Sequence, residues 1–486
     1  MLDVSREDIT DGSLVHAMLV LATPLVVQNV VHVVQSIVDT FWVGRLGEDA
    51  VAAVGASFPV IALIASVTVV VFSGTQVLVS QRAGSENLDG ARRATFHGLT
   101  LGLVAGTTVA ALVFLGVDTI VEIVLTGNDV APLAATYIAT LVLVFPFMGM
   151  SDAIEGGFVG WGDSQAAMYV NVVAVAVNIT LDPFLIFGFT ENPLFAMLGL
   201  GGLQSSLYAS TGFSGFEIAG AAMATAIGYF VGFLLALAMY VRGRDGFTVT
   251  SDVIGFETEE YREILDIGLP SGGQTVAAQS VRVLIIAVIS AVGASAGLAA
   301  YNVGAQVATV AFVPAQGLRD AAQSVVGQNL GADNPERAQR ATWTGATIAA
   351  VGLTLVGVFQ WVAPEFLVNL FVPAMSPDGF ELAVDYLRIL VLGYWGIGAM
   401  YLFNAGFNGA RKTKVSMMAS LLKYWAVRLP IAAVGAMWLD LGVRAVFWGV
   451  TISNVVGAVG LGLYYYYTTN NGMLRRAADK VSSPAD

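Results

Sequence analysis

From Leu14 to Tyr467 the chain alternates about twelve long apolar stretches with short polar breaks. The stretches lie near 14–41, 51–79, 94–117, 131–156, 165–188, 217–241, 264–292, 298–325, 341–362, 381–407, 415–438 and 442–467. Each is roughly 20–28 residues, long enough for an α-helix to cross a bilayer core of about 30 Å. Twelve such helices use most of the 486 residues and leave no room for a separate soluble domain. The pattern predicts an all-α membrane protein.

The polar breaks carry a second pattern. Gln81, Gly84, Asn87, Ala91, Arg93, Ala94, Thr95 and Gly98, after the second stretch, recur as Gln328, Gly331, Asn334, Ala338, Arg340, Ala341, Thr342 and Gly345 at a constant shift of 247. Pro24 and Pro270 head the first and seventh stretches at nearly the same shift. A repeat of this period predicts two pseudo-symmetric six-helix bundles in one membrane protein. The lobes are expected over 1–241 and 264–467, joined by a charged surface linker at 242–263. The polar tail, 468–486, is expected to fray. Phe189 to Phe216 reads as a long Gly/Ser-rich outer loop. The duplication is also an internal control: shared residues point to scaffold, and residues kept by one half only point to function.

Composition narrows the class. The chain is 56% hydrophobic and 12% charged, with mean hydropathy +0.74. Among the loop cations only Arg45 and Arg444 fall on one side, so both termini are expected in the cytoplasm of a multi-pass cell-membrane protein. Met1 to Asp11 has no basic start, and no cleaved signal is expected. No cysteine and three scattered histidines exclude disulfides and thiolate metal sites and disfavour a catalytic metal. No nucleophile–base pair suggests an enzyme, and nothing suggests nucleic-acid binding. The net charge of −13, with only four lysines, fits a solvated surface in a salt-rich setting.

Charge inside the membrane is the informative exception. A carboxylate at a helix centre costs roughly 2.5–3.5 kcal/mol on insertion scales. Asp39 lies in the first stretch and Asp182 in the fifth, both more than halfway across, so they can face each other in the outer part of one bundle. The repeat places Ile285 or Ile286 opposite Asp39. Pro183 matches Pro430, which sets Leu429 opposite Asp182. The proline is shared and the acid is not.

Two close carboxylates either hold one proton between them or bridge a hard cation such as Na⁺ with neutral oxygens. Asn178, one turn before Asp182, and Thr225 in the sixth stretch can supply such oxygens, although each alone would serve equally as a helix–helix hydrogen bond. Pro24 frees the carbonyl of Val20 and offers a bend, or a plain kink. Gln28, Asn29, His32 and Gln35 can line a cavity upstream of Asp39, with His32 read first as a packing residue. Asp152 and Glu155 either attract a cationic substrate or mark the water boundary. Lys423 can snorkel to the cytoplasm. Arg282, Arg388 and Arg428 have no role assigned by the sequence.

The motif D-T-F-W-V-G starting at Asp39, the glycine-rich segment from Gly156 to Ser164, the run Asn178 to Pro183 and the segment from Gly331 to Ala338 together resemble the multidrug and toxic compound extrusion (MATE) family over about residues 13–467. The likeness is greatest to its prokaryotic DNA-damage-inducible branch, and within that to archaeal members. The resemblance implies two six-helix lobes in a V and no cofactor. It implies export of amphipathic, mainly cationic, small organic compounds across the bilayer in exchange for H⁺ or Na⁺. It places the coupling site on Asp39, Asp182, Asn178 and Thr225, the helix bend at Pro24, and a cavity tyrosine at Tyr137. Cavity amides of the family fall on Asp152 and Glu155. Ala278 and Gln279, and the acid-free run from Gly393 to Asn404, disfavour a second coupling site. A monomer is expected. The rivals are a lipid-linked-oligosaccharide flippase of the same superfamily and a passive channel or receptor.

Overall fold

The computed structural model describes residues 6–124, 130–292, 294–372 and 375–482. It is all-helical, with α1 (Leu14–Val43), α2 (Glu48–Ile64 and Ser66–Gly84), α3 (Leu88–Val124), α4 (Ala131–Leu141, continued by Phe145–Trp161), α5 (Ser164–Phe187) and α6 (Glu217–Arg242) forming the first bundle. The second comprises α7 (Thr258–Val292), α8 (Ala294–Gly331), α9 (Pro335–Val362), α10 (Pro377–Val391 and Tyr394–Gly409), α11 (Thr413–Leu421 through Val434–Trp438) and α12 (Val443–Asn470). Ten of these are apolar and long enough to cross a membrane unbroken, and α2 and α10 bring the number to twelve with bends of 40° and 50°.

The helices expose leucine and valine where lipid would lie, as at Leu103, Val104, Leu112 and Leu115 of α3. Small residues sit where backbones meet: a Cβ on Gly149 would reach 2.5 Å from the Gly102 carbonyl oxygen. Without a hydrophobic drive between helices in lipid, such close approach supplies the packing. Asp163 caps α5 by accepting from the Ala166 amide at 3.1 Å, and Gly162 ends α4 in the left-handed region at φ 108°.

Three connecting segments differ from their sequence-based expectation. The linker is anchored rather than solvated, because Phe247 is fully buried among Phe158, Trp161 and Tyr240. Arg244 pairs with Asp163 beside it. Burial pushes the Asp163 carboxyl up from its ordinary value, and the Arg244 guanidinium draws it part of the way back. The outer loop folds as two short helices, Pro193–Met197 and Gly201–Thr211, pinned by edge contacts among Phe184, Phe189, Phe195 and Phe213. Beyond Thr468 the described part of the tail, up to Ser482, does not fray. Met473–Ser482 is a helix whose Met473, Leu474, Ala477 and Ala478 are buried in the main core. Their spacing makes one apolar stripe. Phe247→Ala is expected to cost about 3 kcal/mol through the cavity it leaves, read as a lower midpoint of thermal unfolding in detergent.

The bundles meet at the end that carries both chain termini. Gln76 donates to the Asp320 carbonyl at 2.9 Å and receives the Gln323 amide at 2.6 Å. Gln81 donates to the Gly409 carbonyl at 2.7 Å and accepts from Arg411 at 2.6 Å, while Gln328 donates to the Gly160 carbonyl at 2.9 Å. A Cβ on Gly84 would collide with the Gln328 carbonyl, and one on Gly331 with the Gln81 carbonyl. These are repeat partners packing reciprocally, and Gln76 and Gln323, also 247 apart, bond to each other. Ile9, fully buried, is tied to the second bundle through Asn329 and Arg337. A central cavity lies between the bundles and is lined by both.

Candidate functional site: two joined cavities

Inside the first bundle is a cavity of about 250 Å³ lined by His32, Gln35 and Asp39 of α1, Tyr137 of α4, and Thr225 and Tyr229 of α6. Asp182 and Asn178 sit side by side on α5 because four residues separate them. Both are buried, and the carboxyl groups of Asp39 and Asp182 lie within hydrogen-bonding reach of each other. Asn178 donates to the Thr225 hydroxyl at 3.2 Å and to Asp182 at 3.5 Å. Thr225 in turn donates to the Ala221 carbonyl at 3.1 Å.

The arrangement is short of donors. Oδ1 of Asp39, Oδ1 of Asn178 and Oδ2 of Asp182 are buried without a hydrogen-bond partner. Orphaned acceptors in a dry site are costly, and a proton or a small cation would satisfy them. Among the described residues no group of three or more His, Cys, Asp or Glu could hold a metal. Two carboxylates, an amide and a hydroxyl suit a monovalent hard cation better than a transition metal. Asn192, from the outer loop, donates to the Pro183 and Gly188 carbonyls and so fixes the end of α5 next to Asp182. Pro24 sits buried within an unbroken α1.

The second cavity, about 670 Å³, lies between the bundles. Gln28, His32, Asp152, Glu155 and Asn171 form one wall, and Gln279, Arg282, Asn404, Lys423 and Tyr424 the other. Asp152 and Glu155 therefore both line the cavity. His32 belongs to both cavities. It is not a simple packing residue: Nε2 meets Asn171 Oδ1 at 2.9 Å and Nδ1 meets Gln35 Oε1 at 3.4 Å. Asn171 spends both amide hydrogens on acceptors, Glu155 and the Ala167 carbonyl, and its Oδ1 must therefore face His32. Hence Nε2 of His32 carries a proton in either charge state. Ser151 completes the chain by donating to Glu155 at 2.8 Å. A line of contacts thus runs from Glu155 through Asn171 and His32 to Gln35, one turn from Asp39, and its last link is a hydrogen bond only when Nδ1 of His32 also carries a proton.

Lys423 does not snorkel. It is 8% exposed, its stem fills the space left by Gly457, and its ammonium lies 4.9 Å from the Tyr424 ring centre. Arg428 has neutral partners, Ser453 at 3.0 Å and Asn454 at 2.9 Å, and covers the Tyr424 ring. Arg388 is exposed and lines neither cavity. The sequence reading missed the Gln76–Gln323 contact and the Asn171 bridge. The first was findable at the repeat shift, and the second carried no local signal.

The MatE family model matches the chain twice, at residues 24–184 and 270–434. The chain belongs to this family of membrane transporters. Curated relatives of this MATE protein include the probable multidrug resistance protein YoeA of Bacillus subtilis, 27% identical with 91% of each chain covered. The FAD transporter of Shewanella oneidensis is 24% identical, covering 88% of this chain and 89% of its own. The fold matches a multidrug resistance MATE transporter in its outward-facing conformation, with TM-score 0.85, 22% identity and 99% of each chain covered. A MOP superfamily transporter from Pyrococcus furiosus gives TM-score 0.85 at 23% identity, covering 96% of this chain and 98% of its own.

Proposed function

We propose that this MATE protein is a secondary antiporter that expels amphipathic organic compounds from the cytoplasm in exchange for H⁺ or Na⁺. The observation that carries the reading is the donor-poor cluster of Asp39, Asp182, Asn178 and Thr225 in one lobe only. Occupancy by the coupling ion removes the repulsion between the two acids and lets α1 pack closer to α5; release restores it. The acidic wall at Asp152 and Glu155 receives the positive end of the cargo. The two acids of the cluster belong to the first lobe, which favours the DNA-damage-inducible branch with archaeal-type members. With both termini cytoplasmic, the sealed end is the inner one and the central cavity opens outward. The protein works as a monomer in this reading, over lobes 1–241 and 264–467. A flippase of lipid-linked oligosaccharides is not favoured, since half of the cavity wall is acidic.

Proteoliposome efflux with ΔpH and ΔNa⁺ imposed separately tests the reading; transport that follows neither gradient would defeat it. The line through His32 leads from the cargo wall to Gln35, one turn of α1 from Asp39. His32→Leu is expected to leave dye affinity within about twofold and to lower gradient-driven efflux about tenfold. Unchanged efflux would show that the line does not couple the sites.

A further inference from the structure

We infer that the central cavity is built for a zwitterionic amphiphile, with a separate seat for an anionic group at Lys423 and Arg282 on the second lobe. The inference rests on the exporter reading above and names its cargo class. The two walls carry opposite charge and do not neutralise each other: Asp152 and Glu155 form no ion pair with Arg282 or Lys423 among the described residues, although all four line one space. Arg319, in the same cavity, is already matched by Asp320 at 2.8 Å. Glu155 is held in place by Ser151 and Asn171, so it cannot swing across to meet a base.

Lys423 is the decisive residue. A buried ammonium deep in a membrane protein is expensive unless an anion approaches it. Here its surroundings supply the Tyr424 side chain and no carboxylate. Its near neighbours are the Tyr424 ring and Gly457, and the Arg428 guanidinium stacked on the same ring adds positive charge rather than removing it. A simple monocation would satisfy the acidic wall and be repelled by the opposite one, and a simple anion would meet the reverse problem. A molecule with a cationic and an anionic group on one apolar frame satisfies both walls at once, in a space of low dielectric where each pairing counts for more than in water.

Rhodamine B and its ethyl ester test this directly, since they share a cationic dye frame and differ only in whether the carboxylate is free. Binding is followed by fluorescence anisotropy with the full chain in nanodiscs. The free acid is expected to bind about tenfold more tightly than the ester. Lys423→Met, and independently Arg282→Gln, should weaken the acid toward the ester while ester binding holds or tightens as a repelling charge is removed, which also shows that the variants fold. Lys423→Arg should preserve the preference. Equal affinity of wild type for both dyes, or equal weakening of both by Lys423→Met, overturns the assignment. Efflux by Asp39→Asn vesicles, measured alongside, separates the two readings. If that variant and Asp182→Asn both still pump, the antiporter proposal fails whatever the dye preference; if efflux is lost and the preference is absent, only the zwitterion seat falls.

Discussion

Asp39→Asn and Asp182→Asn are each expected to reduce gradient-driven dye efflux from proteoliposomes to the level of protein-free vesicles, while the protein still folds. Asparagine keeps the size of aspartate and removes the charge that must appear and vanish in each cycle. The site has only two acids, in hydrogen-bonding reach of each other, so losing either leaves a group with no like charge to separate from. The same change deletes a repulsion and an ionisable group from a dry environment. Thermal unfolding should therefore shift upward or stay put, unlike the drop expected for Phe247→Ala. Asn178→Leu removes a neutral oxygen without touching either acid. If Na⁺ is the coupling ion it should raise the Na⁺ concentration for half-maximal transport, whereas with H⁺ coupling the ion requirement should stay near wild type. Retention of uphill efflux by both aspartate variants would remove the basis of the proposed mechanism.

Most of this architecture was legible from the chain because membrane helices are specified by length and hydropathy, two quantities that local sequence contains. The repeat extended that legibility to the pairing of lobes. Asp39 and Asp182 stood out for the same reason, as charges that a bilayer does not tolerate without cause. What stayed hidden depended on side-chain direction. Lys423 near the middle of α11 could reach toward water or toward the cavity, and its packing between the Tyr424 ring and Gly457 carries no signal in the local sequence. His32 and Asn171 are 139 residues apart, so no periodicity links them. Phe247 and the stripe of Met473, Leu474, Ala477 and Ala478 lie in segments that average as polar, and a few buried residues reverse their character.

Two of the shared pairs read from the repeat as scaffold, Gln81 with Gln328 and Gly84 with Gly331, lie in the seal, and that yields the second large effect. Gly84→Val and Gly331→Val are each expected to hold the lobes apart at the terminal end, because the new Cβ meets a backbone carbonyl of the facing lobe that has no rotamer to move into. A clash of about 2 kcal/mol tilts a two-state ratio about thirtyfold toward the conformation in which the seal is broken. The protein has no native cysteine, so spin labels can be placed at Asp89→Cys and Glu336→Cys, repeat-related positions whose side chains are 65% and 64% exposed. The label separation should lengthen in either glycine variant, and efflux should fall even though both cavities keep every lining residue. Dye affinity measured in detergent need not fall with it, because the clash acts on the balance of states and not on the seat of the cargo. A label distance unchanged from the parent, together with normal transport, would mean that the reciprocal packing of Gly84 on Gln328 and Gly331 on Gln81 is ordinary helix contact and that the seal is governed elsewhere.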